Sequence, residues 1–164
     1  MDTLEGLDRS RIQWRWRHFE LFSAKEWHDI LHLRARIFVV EQQCPYVDPD
    51  KKDCLSWHLQ GCIDGTTVAT LRAVPPGVSY TESSMGRVAV DQSLRGTRLG
   101  WEIMQLGIAF SHRMWGTGIR ISAQSYLEKF YHSLGFDSVG KAYLEDDIPH
   151  IEMLLPAAER STAA

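Results

Sequence analysis

Residues 86–104, GRVAVDQSLRGTRLGWEIM, constrain the fold more than any other stretch of the chain. An apolar strand runs into a loop carrying Arg95, Gly96, Arg98 and Gly100, and the loop opens a helix. Leu99, Ile103, Leu106, Phe110 and Met114 recur at steps of four, three, four and four, which draws one apolar stripe on that helix. Gly116 and Gly118 end it. A helix start carries unpaired N–H groups and the positive end of the helix dipole. Glycines let a ligand approach the backbone, and arginines add long-reach donors. Together these make a phosphate site. The Gly-Lys-Ser/Thr of a P-loop is absent. Read alone, the loop also fits a plain turn with solvated arginines.

The remaining elements argue against a doubly wound parallel sheet. Asp64-Gly65 between two apolar runs predicts a tight antiparallel hairpin, because that turn needs positive φ. Alternation over residues 13–21 predicts a first strand, with Trp14, Trp16 and His18 on one face. Ser23 and Glu26 form a capping box for a helix reaching Val40. MGRVAV and IRISA read as strands, SYLEKFYHSLGF as a short helix stopped by Gly135, and residues 138–144 and 148–155 as two final strands.

The chain has 164 residues, the size of one domain, and shows no internal repeat. A net charge of −3 argues against a general binder of nucleic acid or anionic membrane. Cys44, Cys54 and Cys62 are odd in number and irregular in spacing, so they read as free thiols of a reducing cytoplasm. Cys54 and His58 lack a second pair of ligands, so no metal is expected. The acidic start lacks a signal-peptide pattern, and no apolar run approaches the ~20 residues that span a bilayer. The expected location is cytoplasmic.

VAVDQSLRGTRLG resembles the acetyl-CoA signature of the GNAT superfamily of N-acetyltransferases, Gln/Arg-x-x-Gly-x-Gly/Ala, with Arg95 and Gly100 at its ends. Arg98 stands where that signature has glycine. QSYLEKFYHSLGF is similar to the family's second signature, Phe-Tyr-x-x-x-Gly-Phe. FVVEQQCPYVDPDKKD, GRVAV and DDIPHIEM resemble the ElaA subgroup. The resemblance implies an α/β (α+β) acyl-CoA N-acyltransferase fold. Its mixed, mostly antiparallel sheet has about six to seven strands flanked by helices and splays at strands 4 and 5. It implies a single domain over residues 14–156, an N-terminal extension over 1–13 and a loose tail over 157–164.

The resemblance also implies roles. Backbone amides of Arg95, Gly96, Thr97, Arg98, Leu99 and Gly100 would hold the pyrophosphate of coenzyme A. The Arg98 side chain would lie outside or reach a phosphate. The backbone of Val88, Ala89 and Val90 would pair with pantetheine, and Gln124, Phe130 and Tyr131 would complete the cofactor set. The thioester would lie in the slot between strands 4 and 5, where a strand amide stabilises the oxyanion. Tyr131 is the candidate general acid, with nearby Tyr126 as its competitor for that role. The acceptor, a primary amine of a small molecule or a protein, must lose a proton before attack. Glu41, His58 and Glu82 are candidate bases, with His150 beside them. Glu82 stands two residues before Ser84, which occupies the position of a family glutamate. The implied reaction is acetyl transfer from acetyl-CoA by a monomer or homodimer, without metal, nucleic acid or membrane. The alternatives are a non-catalytic acyl-CoA sensing module and a transferase for a longer acyl-CoA.

Overall fold

The structure is a computed structural model that describes residues 8–159. Residues 1–7 of the expected extension and 160–164 of the expected tail lie outside the described residues. The described backbone groups into two compact units, residues 8–73 with 86–104, and residues 74–85 with 105–159. Among the described residues seven strands form two sheets, the first four in chain order in one and the fifth, seventh and sixth in the other, so the sheet order breaks between the fourth and fifth strands. Among the described residues no helix is long and apolar enough to cross a membrane, and no group of three His, Cys, Asp or Glu side chains converges as a metal site.

The first unit is built on β1 (Gln13–His18), β2 (Trp57–Ile63), β3 (Thr66–Val74) and β4 (Ser84–Val90). The β2–β3 hairpin turns at Asp64 (φ 49°) and Gly65 (φ 80°), the two positive angles that the Asp-Gly pair predicts. β1 stops at His18, three residues before the sequence pattern suggests. Phe19 instead opens a 3-10 turn, donates its N–H to the Ser56 carbonyl at 3.1 Å, and sets its ring edge-on to Trp27 at 5.0 Å. Trp14 lies opposite Gly61, where an added Cβ would sit 2.6 Å from the indole. Gly61→Ala must therefore displace that ring. It is expected to cost about 1–3 kcal/mol, as overpacking does, and a urea midpoint unchanged from wild type would show that Trp14 moves aside.

α1 (Ala24–Arg34) starts on the predicted capping box, with both Ser23 and Glu26 bonds present. It does not continue as α-helix to Val40. Residues Ala35–Glu41 widen into a π-helix, closed by Gln42 N–H to Ile37 O at 3.2 Å and Cys44 N–H to Val39 O at 3.1 Å. The widening keeps Leu33 and Ile37 buried with Ala89 of β4, while Arg36 and Glu41 are exposed. α2 (Leu99–Trp115) buries Leu99, Ile103 and Phe110 as its stripe requires, whereas Met114, expected on that stripe, is 42% exposed.

The second unit holds β5 (Ile119–Gln124), α3 (Glu128–Ser133), β6 (Asp137–Glu145) and β7 (Ile148–Leu155). β7 pairs antiparallel with both neighbours. Ser83 makes a parallel bridge to Ile119, the mixed element of the architecture. α3 ends where predicted: Gly135 takes φ 95°, and Phe136 N–H returns to the Tyr131 carbonyl at 3.1 Å.

Candidate functional site

In the first unit the candidate site begins on β4. Arg87 takes φ 52°, a left-handed residue inside a strand, which kinks the backbone just before Val88, Ala89 and Val90. Its guanidinium is held by acids, with Nε 2.8 Å from Asp48 Oδ1 and a second nitrogen donating to the Asp48 carbonyl at 3.0 Å. Asp91 then turns the chain. Its N–H donates to Val68 O at 2.8 Å, and its carboxylate accepts from Ser93 N–H at 3.0 Å and Ser93 Oγ at 2.7 Å. Leu94, 1% exposed, pins the loop to the core.

The loop itself is shaped by two left-handed residues, Gly96 (φ 77°) and Arg98 (φ 63°). Arg98, at the position where the signature has glycine, thus adopts a conformation that glycine takes freely. The Thr97 hydroxyl donates to Leu94 O at 2.7 Å, and Leu99, 2% exposed, anchors the helix that follows. The first-turn amides of α2 have no intrahelical acceptor. A Cβ at Gly96 or Gly100 would meet no heavy atom within 4 Å, so a ligand can reach this backbone. The amides, the helix dipole and the open glycines fit a phosphate-bearing ligand.

The π-helix is strapped to this loop by two ion pairs. Arg36 lies 3.3 Å from Asp91, and the Arg95 guanidinium grips both oxygens of Glu41 while donating to the Val90 carbonyl. The Arg95 hydrogen bond holds the Glu41 carboxyl below its ordinary range. Glu41 is therefore a partner of the Arg95 loop and a weakened base. His58, another candidate base, is a core residue on β2. It is 1% exposed, packs edge-on to Trp27 at 4.7 Å, and its Nε2 bonds the Asp53 carbonyl at 3.0 Å. Burial pushes it down to about 4, so it stays neutral and buried, without access to a dissolved amine. The Arg36–Asp91 strap escaped the sequence reading. Its only sequence signal is a charge at each end of a long separation, which no local spacing rule reads.

In the second unit, Tyr131 sits on α3 with its ring 5.2 Å from Phe130 and 6.0 Å from Phe136. Burial, with a smaller contribution from Tyr126, pushes its hydroxyl up to about 12, so its proton is retained across the working pH range. Tyr126 is 74% exposed. Gln124 ends β5 directly opposite His150 of β7, so the two side chains share a sheet face. His150 Nδ1 is 2.7 Å from the Ile148 carbonyl; it donates there, which leaves Nε2 as the acceptor nitrogen. Its ring stacks on Tyr143 at 6.1 Å. Ser122 donates to Glu145 at 2.9 Å on the same strand pairings. Glu82 is bound by Arg120 at 2.9 and 3.1 Å, and those hydrogen bonds lower its carboxyl below the ordinary range.

A domain profile described as "Acetyltransferase (GNAT) domain" matches residues 73–156. A UPF0039 protein of Synechocystis sp. is 40% identical over 87% of this chain and 94% of its own length. A crystal structure of an acyl-CoA N-acyltransferase from Pseudomonas aeruginosa superposes with a TM-score of 0.84 at 37% identity, covering 88% of this chain and 99% of that one. The crystal structure of Escherichia coli ElaA follows at a TM-score of 0.82 and 33% identity, with the same coverage.

Proposed function

The chain belongs to the GNAT acetyltransferase superfamily, in its ElaA-like subgroup, and we propose from that premise that it moves an acetyl group from acetyl-CoA directly to a primary amine. Acyl transfer from an acyl-CoA follows from the family; the acetyl group, the amine and the residue roles are the proposal. The observation that carries it is the loop from Arg95 to Gly100, where two left-handed residues bare the amides of a long helix start.

Each group has one task. The loop amides bind the pyrophosphate, and the kinked Val88–Val90 backbone pairs with pantetheine. Acetyl-CoA supplies the activated thioester. Tyr131 keeps its proton and offers it to the departing sulfur. Donation from a phenol at about 12 to a thiolate of ordinary pKa, near 8.5, is uphill, so Tyr131 acts through a hydrogen bond that strengthens as charge grows on sulfur. His150 is the base, because the Nδ1–H bond to Ile148 leaves Nε2 with its lone pair. Glu145, on the face that carries His150, favours a cationic acceptor, while Glu152 on that face is paired with Arg120 at 3.3 Å.

The experiment is an acetyl-CoA turnover screen over lysine peptides, protein N-termini, polyamines, aminoglycosides and amino acids, repeated with succinyl- and long-chain CoA. On the acceptor found, His150→Gln is expected to lower kcat/KM by roughly 10²-fold, the scale of one general base, with CoA binding unchanged. Tight CoA binding with no turnover on any amine would favour the sensing module instead. A kcat/KM within about threefold of wild type in His150→Gln, well below the scale of one general base, would remove His150 from the base role.

A further inference from the structure

We propose that the side chain of Arg98, rather than that of Arg95, is the arginine arm that holds a phosphate group of coenzyme A; this rests on the acyl-CoA reading above. Four arginines gather at the loop, and three are already committed. Arg95 grips Glu41 through both terminal nitrogens and turns back to the Val90 carbonyl. Arg36 pairs with Asp91 at 3.3 Å. Arg9 donates to the Thr97 carbonyl and lies 3.6 Å from Glu102. An arginine fork bound to a carboxylate must give up that pair before it can take a phosphate, which uses the same fork.

Arg98 differs from all three. Among the described residues it has no carboxylate partner. Its guanidinium lies over the Trp101 ring, 5.4 Å from the centroid. A guanidinium stacked by its face keeps its N–H groups pointing outward in its own plane, where an anion can meet them. Trp101 also fixes the side chain along the first turn of α2, at the end where the backbone amides are bare. The position matters as well as the charge. Arg98 occupies a left-handed conformation that glycine takes without cost, so this chain carries a side chain where none is needed to shape the loop. The signature arginine has become a brace between the π-helix and the loop, and the residue that replaces the signature glycine supplies the cation.

The test uses Arg98→Gly, which suits φ 63° and so removes the side chain while keeping the loop. Binding of CoA, 3′-dephospho-CoA and pantetheine is measured by calorimetry on the whole chain. Losing one charge-assisted contact is expected to weaken CoA roughly ten- to hundredfold, with pantetheine unchanged. If 3′-dephospho-CoA loses as much as CoA, the contact is to the diphosphate; if only CoA weakens, it is to the 3′-phosphate. The double variant Glu41→Gln/Arg95→Gln is expected to lose less than Arg98→Gly, and Arg98→Lys to recover part of the affinity. Wild-type binding with Arg98→Gly within about twofold of it, well below the scale of one such contact, or a larger loss in the double variant, overturns the assignment alone. Failure of the wild-type chain to bind CoA overturns the acyl-CoA reading itself.

Discussion

Replacing Asp53 by asparagine is expected to lower the unfolding free energy by about 3–5 kcal/mol, the cost of removing one partner from a buried charge pair. Asp53 is 2% exposed and Arg34 1%. One Asp53 oxygen accepts from Arg34 and from Arg72, both at 2.9 Å, and the other accepts from Arg34 at 3.2 Å and from the Asp50 N–H at 3.1 Å. Asp48 takes the remaining edge of Arg34 at 2.8 Å. Asparagine keeps the shape but leaves two guanidinium groups short of a charge. Against a total stability of about 5–15 kcal/mol for a domain, that is a large fraction. Urea unfolding measures it; a loss below about 1 kcal/mol would place Asp53 among ordinary surface pairs.

The same network gives acid unfolding two windows. Burial pushes the Asp53 carboxyl up, but Arg34 and Arg72 outweigh it and hold it at about 2. Its folded value lies below its unfolded one, so its contribution is full above about 3.9 and is lost as pH falls through 2. His58 has the same sign by a different cause. Burial lowers it from 6.5 to about 4, so the stability tied to its neutral form is present above 6.5 and is lost as pH falls through 4. At 1.36 kcal/mol per unit this is about 3 kcal/mol. Asp53→Asn should flatten the lower window and leave the upper one in place. His58→Phe should do the reverse.

Tyr131→Phe is the second large effect, on rate. The variant is expected to lower kcat roughly 10²–10³-fold with KM for acetyl-CoA nearly unchanged, because it removes only the hydroxyl that the proposed mechanism sets against the leaving sulfur. The ring contacts with Phe130 and Phe136 remain, so unfolding should be unaffected. With the hydroxyl pushed up to about 12, the wild-type enzyme should show no loss of kcat from Tyr131 up to about pH 10. A kcat within about threefold of wild type would return Tyr131 to a packing role. Tyr126→Phe, at a position 74% exposed, is the control.

Most of what local chemistry governs could be read before any coordinates. The Asp64-Gly65 turn, the Ser23–Glu26 cap, the Gly135 stop and the apolar stripe of α2 all follow from interactions within about five residues, the range over which backbone angles and helix turns are set. The backbone shape of the loop from Arg95 to Gly100 belongs with them. Its two positive φ values sit at Gly96 and Arg98 because the chain must turn from β4 into α2 there.

Charge pairing lay beyond that range. Arg34 looks like a polar residue near a helix end, and Asp48, Asp53, Arg72 and Arg87 look like solvated charges on separate elements. Their meeting depends on the register of β2 with β3 and on the path of the loop after the π-helix. The same is true of Glu41. Its carboxylate suggests a base, yet a partner 54 residues away binds it and lowers its pKa. His58 shows the third case, in which burial among Trp27 and Phe22 turns a titratable ring into a neutral core residue. Backbone shape is decided by neighbours along the chain. The charge state of a side chain is decided by what surrounds it in space, because desolvation and Coulomb attraction act through distance and burial.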